Sequence, residues 1–188
     1  DILTFGGSFP NTAFTLDVSG TKVTMSSSAI QGSNVMTVES GSTLTSTAAN
    51  VTGKYITGNG TVNITALEST LGADLSNIDS TSLTAVLNSS GGVEFTAAAK
   101  LSDAEITVNN SGTVTANASA VMPASPGGFV LDNTSGTPTV ELTAAHANSI
   151  SITGTGNVTV NKLDETAGAV LSGITATGTT TVNAADNV

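Results

Sequence analysis

The chain has 188 residues and no cysteine, so it is long enough for one sizeable core or two small ones, while disulfide frameworks and thiolate metal sites are excluded. Fourteen acids face four lysines and no arginine, a net charge of −10, which argues against electrostatic binding of nucleic acid or anionic lipid. Only 3% of residues are aromatic, and no apolar run approaches the roughly 20 residues needed to span a bilayer as a helix. Val, Ile and Thr recur in alternating runs, and β-branched residues fit a pleated, half-buried surface, so the composition predicts an all-β fold rather than disorder. No basic, apolar leader opens the chain, and the abrupt start D-I-L-T-F reads as a segment whose signal peptide, if any, lies outside it.

From Asp1 to Gly20 the chain carries Gly6-Gly7, then Phe9-Pro10, then alternating Phe14, Leu16 and Val18. After Gly20 one unit recurs: an apolar strand end, a glycine turn and a new strand. It stands in V-S-G-T-K-V-T-M, in V-E-S-G-S-T-L-T around Gly41 and in I-T-G-N-G-T-V-N-I around Gly60. Glycine after a strand supplies positive φ without a Cβ penalty. Leu67 to Asp74 and its partner Leu163 to Val170 have the spacing of one helical turn, too short for a stable helix. Val121 to Gly128 holds two prolines and two glycines and predicts a loop bulging from the second half.

Ile152 to Asn183 contains the clearest repeat. I-T-G-T-G-N-V-T-V-N is echoed 22 residues later as I-T-A-T-G-T-T-T-V-N. A longer echo matches Leu67, Thr70, Gly72, Ala73, Leu75, Ser76 and Ile78 with Leu163, Thr166, Gly168, Ala169, Leu171, Ser172 and Ile174, at a constant offset of 96. The chain therefore reads as two tandem copies, 1–92 and 93–188, of about four rungs each. Turn glycines stand at Gly112, Gly136, Gly156 and Gly178 in the second copy, answered by Gly20, Gly41, Gly60 and Ser82 in the first.

Two folds compete. Rungs of about 22 residues stacked at a strand spacing of about 4.8 Å make a parallel β-solenoid (β-helix), with core ladders from Val62/Ile64, Val114/Ala116 and Val158/Val160. A unit of roughly 95 residues also suits two tandem immunoglobulin-like β-sandwiches. The scarcity of aromatics, with Tyr55 the sole tyrosine, and the 22-residue echo favour the solenoid.

The motifs T-A-A-x-A-N (Thr143 to Asn148), I-T-G-T-G-N-V-T-V (Ile152 to Val160) and A-x-L-S-G-I-T-A-T-G (Ala169 to Gly178) resemble the Thr/Ser/Asn-rich repetitive regions of bacterial surface-layer (S-layer) proteins and large secreted adhesins. The resemblance implies an extracellular, structural cell-surface role. Open ends and strand edges without polar caps make self-association the expected partner interaction, and a cell-surface glycan is a further expected partner, with a glycan-binding module as an alternative function. The G-G-x-G-x-D calcium repeats of many such proteins are missing here.

Chemistry-bearing residues are sparse. His146 is the sole histidine, and no G-x-S-x-G elbow accompanies any serine, so it reads as a surface or turn imidazole and not as part of a triad. The carboxylate pairs Asp74/Asp79, Asp103/Glu105 and Asp164/Glu165 lack the cationic partner that β-helical polysaccharide lyases use, and no enzyme is predicted. Calcium has weak candidates in Asp132 and Asn133, because the acids are too dispersed for a six-to-eight-oxygen loop. Sequons occur at Asn50, Asn59, Asn63, Asn88, Asn109, Asn117, Asn133 and Asn157.

The remaining pattern is Thr-x-Thr after successive turns. Thr113/Thr115, Thr137/Thr139, Asn157/Thr159 and Thr179/Thr181 in the second copy follow Thr43/Thr45 and Thr61/Asn63 in the first. Period-two spacing puts both members of each pair on one face. Stacked pair on pair they would resemble the flat face of ice-binding solenoids. Interruption at Leu83/Ala85 and Gly92/Glu94 leaves at most three or four rungs in order, in the second copy, so the alternative function of ice binding is expected to fail.

Overall fold

Alternation of apolar residues with Thr, Ser and Asn turns one side of a segment inward and leaves the other wet, the pattern of a strand with one covered face. A computed structural model describes residues 35–185 together with the backbone at 2–5, 15–18 and 22–25, and the alternating segments are strands. The first seven are β1 (Ile2–Phe5), β2 (Thr15–Val18), β3 (Lys22–Met25), β4 (Val35–Val38), β5 (Thr43–Thr47), β6 (Tyr55–Thr65) and β7 (Ile78–Ser89). Next come β8 (Val93–Phe95), β9 (Glu105–Asn110), β10 (Thr113–Ala116) and β11 (Gly128–Leu131). The last are β12 (Thr139–Thr143), β13 (Ser151–Gly154), β14 (Asn157–Asn161) and β15 (Thr180–Val182).

Every pairing among the described strands is parallel. One sheet runs β1-β3-β5-β6-β7-β9-β11-β13, with β2 and β4 joined through β6, and a second runs β8-β10-β12-β14-β15. The fold is all-β with parallel sheets. The immunoglobulin-like alternative is corrected by this finding, because such sandwiches are antiparallel.

From β7 to β14 the chain enters the two sheets by turns, and inward residues stack in register. Ile64, Ala85, Ile106, Phe129 and Ile152 form one ladder, continued by a bridge to Ile174, its members 21 to 23 residues apart. Val114, Val140 and Val158 form another in the second sheet. From Ile64 to Ile152 and from Val114 to Val158 none is more than 1% exposed. Each fully buried Val, Leu, Ile or Phe contributes roughly 1.5–3 kcal/mol, so length of ladder replaces the large aromatics that the composition lacks. Of the expected core positions Val62, Ile64, Val114, Val158 and Val160 are buried, and Ala116 partly so. One continuous apolar cluster reaches from Met36 to Val160, and β7 pairs with β9 across the 92/93 boundary.

The 96-residue echo has a local structural counterpart. The single-turn helices α1 (Ala48–Val51) and α2 (Ala144–Ala147) stand at that offset, as do 3-10 turns at Leu67–Ser69 and Leu163–Glu165. The 3-10 turns are each preceded by a left-handed residue, Ala66 (φ 55°) or Lys162 (φ 59°). Gly53 N donates to Asp74 O at 2.7 Å, and Ser149 N to Val170 O at 2.8 Å. The expected helical turn is thus one 3-10 turn, while α1 and α2 were not read from the sequence.

In the 121–128 loop Val121 and Ala124 to Pro126 are exposed, while Met122, Pro123, Gly127 and Gly128 are buried. One expectation is corrected. Gly112, Gly156 and Gly178 are not at positive φ; a Cβ on each would strike backbone of the preceding rung, at Gly91–Gly92, Pro138 and Gly156 respectively, so close stacking is what demands them. Gly6, Gly7 and Gly20 lie outside the described residues.

Candidate functional site

The threonine face is set by register. Thr113 sits beside Thr139, and Thr139 beside Asn157, so the second member of one pair stacks on the first member of another. Thr137 precedes buried Pro138 and lies ahead of β12, because proline cannot donate to a ladder and is confined to strand starts. Thr179 likewise precedes β15, its N–H donating to Asn157 Oδ1 at 3.0 Å. The neighbouring file carries acids: Thr115 pairs with Glu94, and Thr159 lies between Glu141 and Thr181. Pair therefore stacks on pair between Asn157/Thr159 and Thr179/Thr181, and the order is broken where Thr139 takes the place expected of Thr137.

A better-ordered file lies in the first copy. Thr43, Thr45 and Thr47 of β5 stand beside Thr61, Asn63 and Thr65 of β6, and Thr61 and Asn63 stand beside Ser82 and Thr84 of β7. Several hydroxyls there are turned to the rung beside them: Thr84 Oγ1 donates to Asn63 Oδ1 at 2.8 Å and Thr65 Oγ1 to Ser46 O at 3.3 Å. Thr115 Oγ1 does the same to Val93 O at 3.3 Å. These hydroxyls tie neighbouring strands together.

His146 lies on α2, half-buried, its backbone N–H donating to Thr143 Oγ1 at 3.3 Å. Its Nδ1 is buried without a partner, beside an open cleft of about 480 Å3 that includes Met122, Pro123, Ser125 and Ile150 but no carboxylate. Asp132 Oδ1 accepts from Thr134 N at 3.0 Å and caps the 3-10 turn Asn133–Ser135, while Asn133 is exposed. Among the described residues no three His, Asp or Glu side chains gather as a metal group. Asp103 and Glu105 line one small cavity, and Glu165 pairs with Lys162 at 3.6 Å.

Asp74 meets Lys100 at 2.7 Å and also accepts from the Ser76 hydroxyl at 2.6 Å. Burial pushes its carboxyl up, but the Lys100 and Ser76 hydrogen bonds and the Lys100 charge outweigh that and hold it below its ordinary 3.8. A depressed carboxylate stabilises the fold above its unfolded pKa, and the gain is lost as pH falls through the folded value. Lys100→Met is therefore expected to cost at most about 1 kcal/mol at pH 7, the pair being solvent-exposed. In urea titrations the gap between variant and parent should close as pH falls below 3.8; a gap unchanged at pH 2 refutes the assignment.

Among the described strands β1 and β13 end the first sheet and β8 and β15 the second, and β2 pairs on one side alone, with β4. In the last rung Leu163 is 37%, Val170 50% and Val182 46% exposed. Leu171, Ile174 and Ala169 beside them are only partly buried. Comparison with known protein families, with curated proteins and with solved structures finds no match for this chain.

Proposed function

We propose that the chain is a segment of parallel β-solenoid that serves as a structural module of an extracellular cell surface, in a layer, filament or adhesin stalk, and works by self-association. The observation that carries this reading is a stack of parallel strands on one continuous core, with outward hydroxyls bonded from one strand to the next. Stacked units of this kind contact only their neighbours, so the fold extends in one dimension, and an exposed strand edge is a template for another strand. The outward hydroxyls bonded between rungs support a structural use of threonine over an ice-binding one.

Negative-stain images and sedimentation of purified protein over a wide concentration range test this, with thermal hysteresis measured on the same samples. Growing linear assemblies without a hysteresis gap are expected. Monomers at every concentration refute the self-association reading. A hysteresis gap that Thr45→Leu or Thr84→Leu abolishes shifts the function to ice binding.

A further inference from the structure

The segments that join β8 to β9, β10 to β11 and β12 to β13 form a third side of the stack, and its rungs are tied to one another except at one interval. Asp74 bridges to Lys100 and Lys100 to Val121. Val121 N donates to Ala99 O at 2.9 Å, Leu101 N to Val121 O at 3.0 Å and Ala124 N to Ser102 O at 2.7 Å. From Val121–Gly127 to the next rung, which carries α2, no described backbone bond passes. Pro123 has no N–H to offer, and Ile150 N is turned back on Ala147 O within its own rung. The ties resume beyond it, where Ser149 N donates to Val170 O and Val170 N to Asn148 Oδ1, both at 2.8 Å. The interval is the cleft of about 480 Å3 beside His146, and it lies inside the stack with a bonded rung on each side.

β11 and β13 stay paired next to the cleft, so it is a wedge without room for an inserted strand. Its floor is apolar: Met122 is 7% and Ile150 5% exposed, and Pro123 is buried. Its rim is polar and neutral, with Ser125, His146 and Asn148, and no Asp, Glu or Lys lines it. Two donors there are set and unused. Val121 gives both of its backbone groups to the preceding rung, so by strand alternation the Met122 N–H faces the cleft, and no described group accepts it. Asn148 Oδ1 already accepts from Val170 N and the Ser149 hydroxyl, which leaves the Asn148 amide nitrogen as a donor at the rim.

We propose that this cleft binds a neutral N-acetylated sugar, an N-acetylhexosamine. The acetamido group brings a methyl to Met122, Pro123 and Ile150 and a carbonyl oxygen to the Met122 N–H, while ring hydroxyls meet the Asn148 amide, Ser125 and the imidazole of His146. A site with a buried donor discriminates against a ligand that lacks the acceptor, because the donor is then left unpaired. Charged sugars are disfavoured, since no cation lines the cleft and the chain carries a net charge of −10. The volume falls in the lower part of the roughly 300–1,000 Å3 usual for small-ligand sites, which suits a single ring with its substituents. This binding activity goes beyond the structural role proposed above and does not rest on self-association.

Saturation-transfer NMR on the full chain reads the contact whatever the state of assembly. With N-acetylglucosamine as the probe, saturation is expected to be strongest on the acetamido methyl, and glucose and glucuronic acid should bind roughly tenfold more weakly. Ala145 is exposed on the rim, so Ala145→Phe fills the cleft without entering the core. Asn148→Asp keeps the oxygen that Val170 uses and removes the donor. Both variants, checked for folding by circular dichroism, should lose most of the methyl signal. A signal that persists undiminished in either variant overturns the site. Equal saturation of glucose overturns the acetamido assignment, and no saturation of N-acetylglucosamine by the parent overturns the proposal outright.

Discussion

Val158→Asp is expected to cost more than about 3 kcal/mol, because it places an unpaired carboxylate in an apolar ladder where burial of a charge has no compensating partner. Val158 is 0% exposed and lies between Val140 and Thr180 in register. Against a typical domain stability of about 5–15 kcal/mol the change is large, and urea unfolding should show it as a fall in midpoint or as loss of the folded baseline. The outward neighbour provides the control. Thr159 is flanked by Glu141 in register, so Thr159→Asp adds like-charge repulsion and loses up to about 1 kcal/mol. Thr159→Lys sets a cation beside that carboxylate and should stay within about 0.5 kcal/mol of the parent. A Val158→Asp protein as stable as Thr159→Lys refutes the inward assignment of the ladder.

Strand content and rung length were legible because they are local. Alternation at Val62, Ile64, Val158 and Val160 names the inward face, and the echo from Ile152 to Ile174 gives the distance between stacked neighbours. Which strand stacks on which is not local. β5 and the second half of β6 lie in the first sheet, whereas β12 and β14, their equivalents at 96 residues, lie in the second. The long strand β7 makes the exchange, pairing with β6 on one edge and with β9, an equivalent of β2, on the other. No periodicity in the sequence records that handover, since both copies keep the same inward pattern through it.

The threonine file departs from the expected pairing at Thr137 for a related reason. Spacing fixes which side of a strand a threonine occupies, but loop length fixes the rung register. Between β10 and β12 the chain detours through buried Met122 and Pro123, β11 and a 3-10 turn, and Pro138 then delays the ladder until Thr139. Thr137 drops out, and Thr139 meets Thr113. Burial itself is not local either: Leu163, Ala169 and Leu171 match Leu67, Ala73 and Leu75 residue for residue, and what lies over the first set, with Thr96 N on Leu71 O and Lys100 N on Ala73 O, is what buries it.

Gly154→Ala is expected to cost about 3 kcal/mol or more, in proportion to two separate penalties. Gly154 ends β13 at φ +87°, and a Cβ there would press on Leu131 O and lie 2.8 Å from Leu131 N, within the rung that β11 supplies. A left-handed conformation alone costs a non-glycine residue about 1–2 kcal/mol. The close approach adds to it, because the obstacle is backbone in a hydrogen-bonded ladder and can give way only if β13 parts from β11. Gly168 separates the two terms. It has φ +77° with nothing within 4 Å of its Cβ position, so Gly168→Ala should show the conformational cost by itself, about 1–2 kcal/mol. Gly58, the partner of Gly154 at 96 residues, has φ +118° and the same obstruction from Val38, so Gly58→Ala should fall with Gly154→Ala. Denaturant midpoints for the three variants rank the effects. If Gly154→Ala loses no more than Gly168→Ala, the rungs are not packed backbone to backbone at this corner, and the glycines answer only to the local turn.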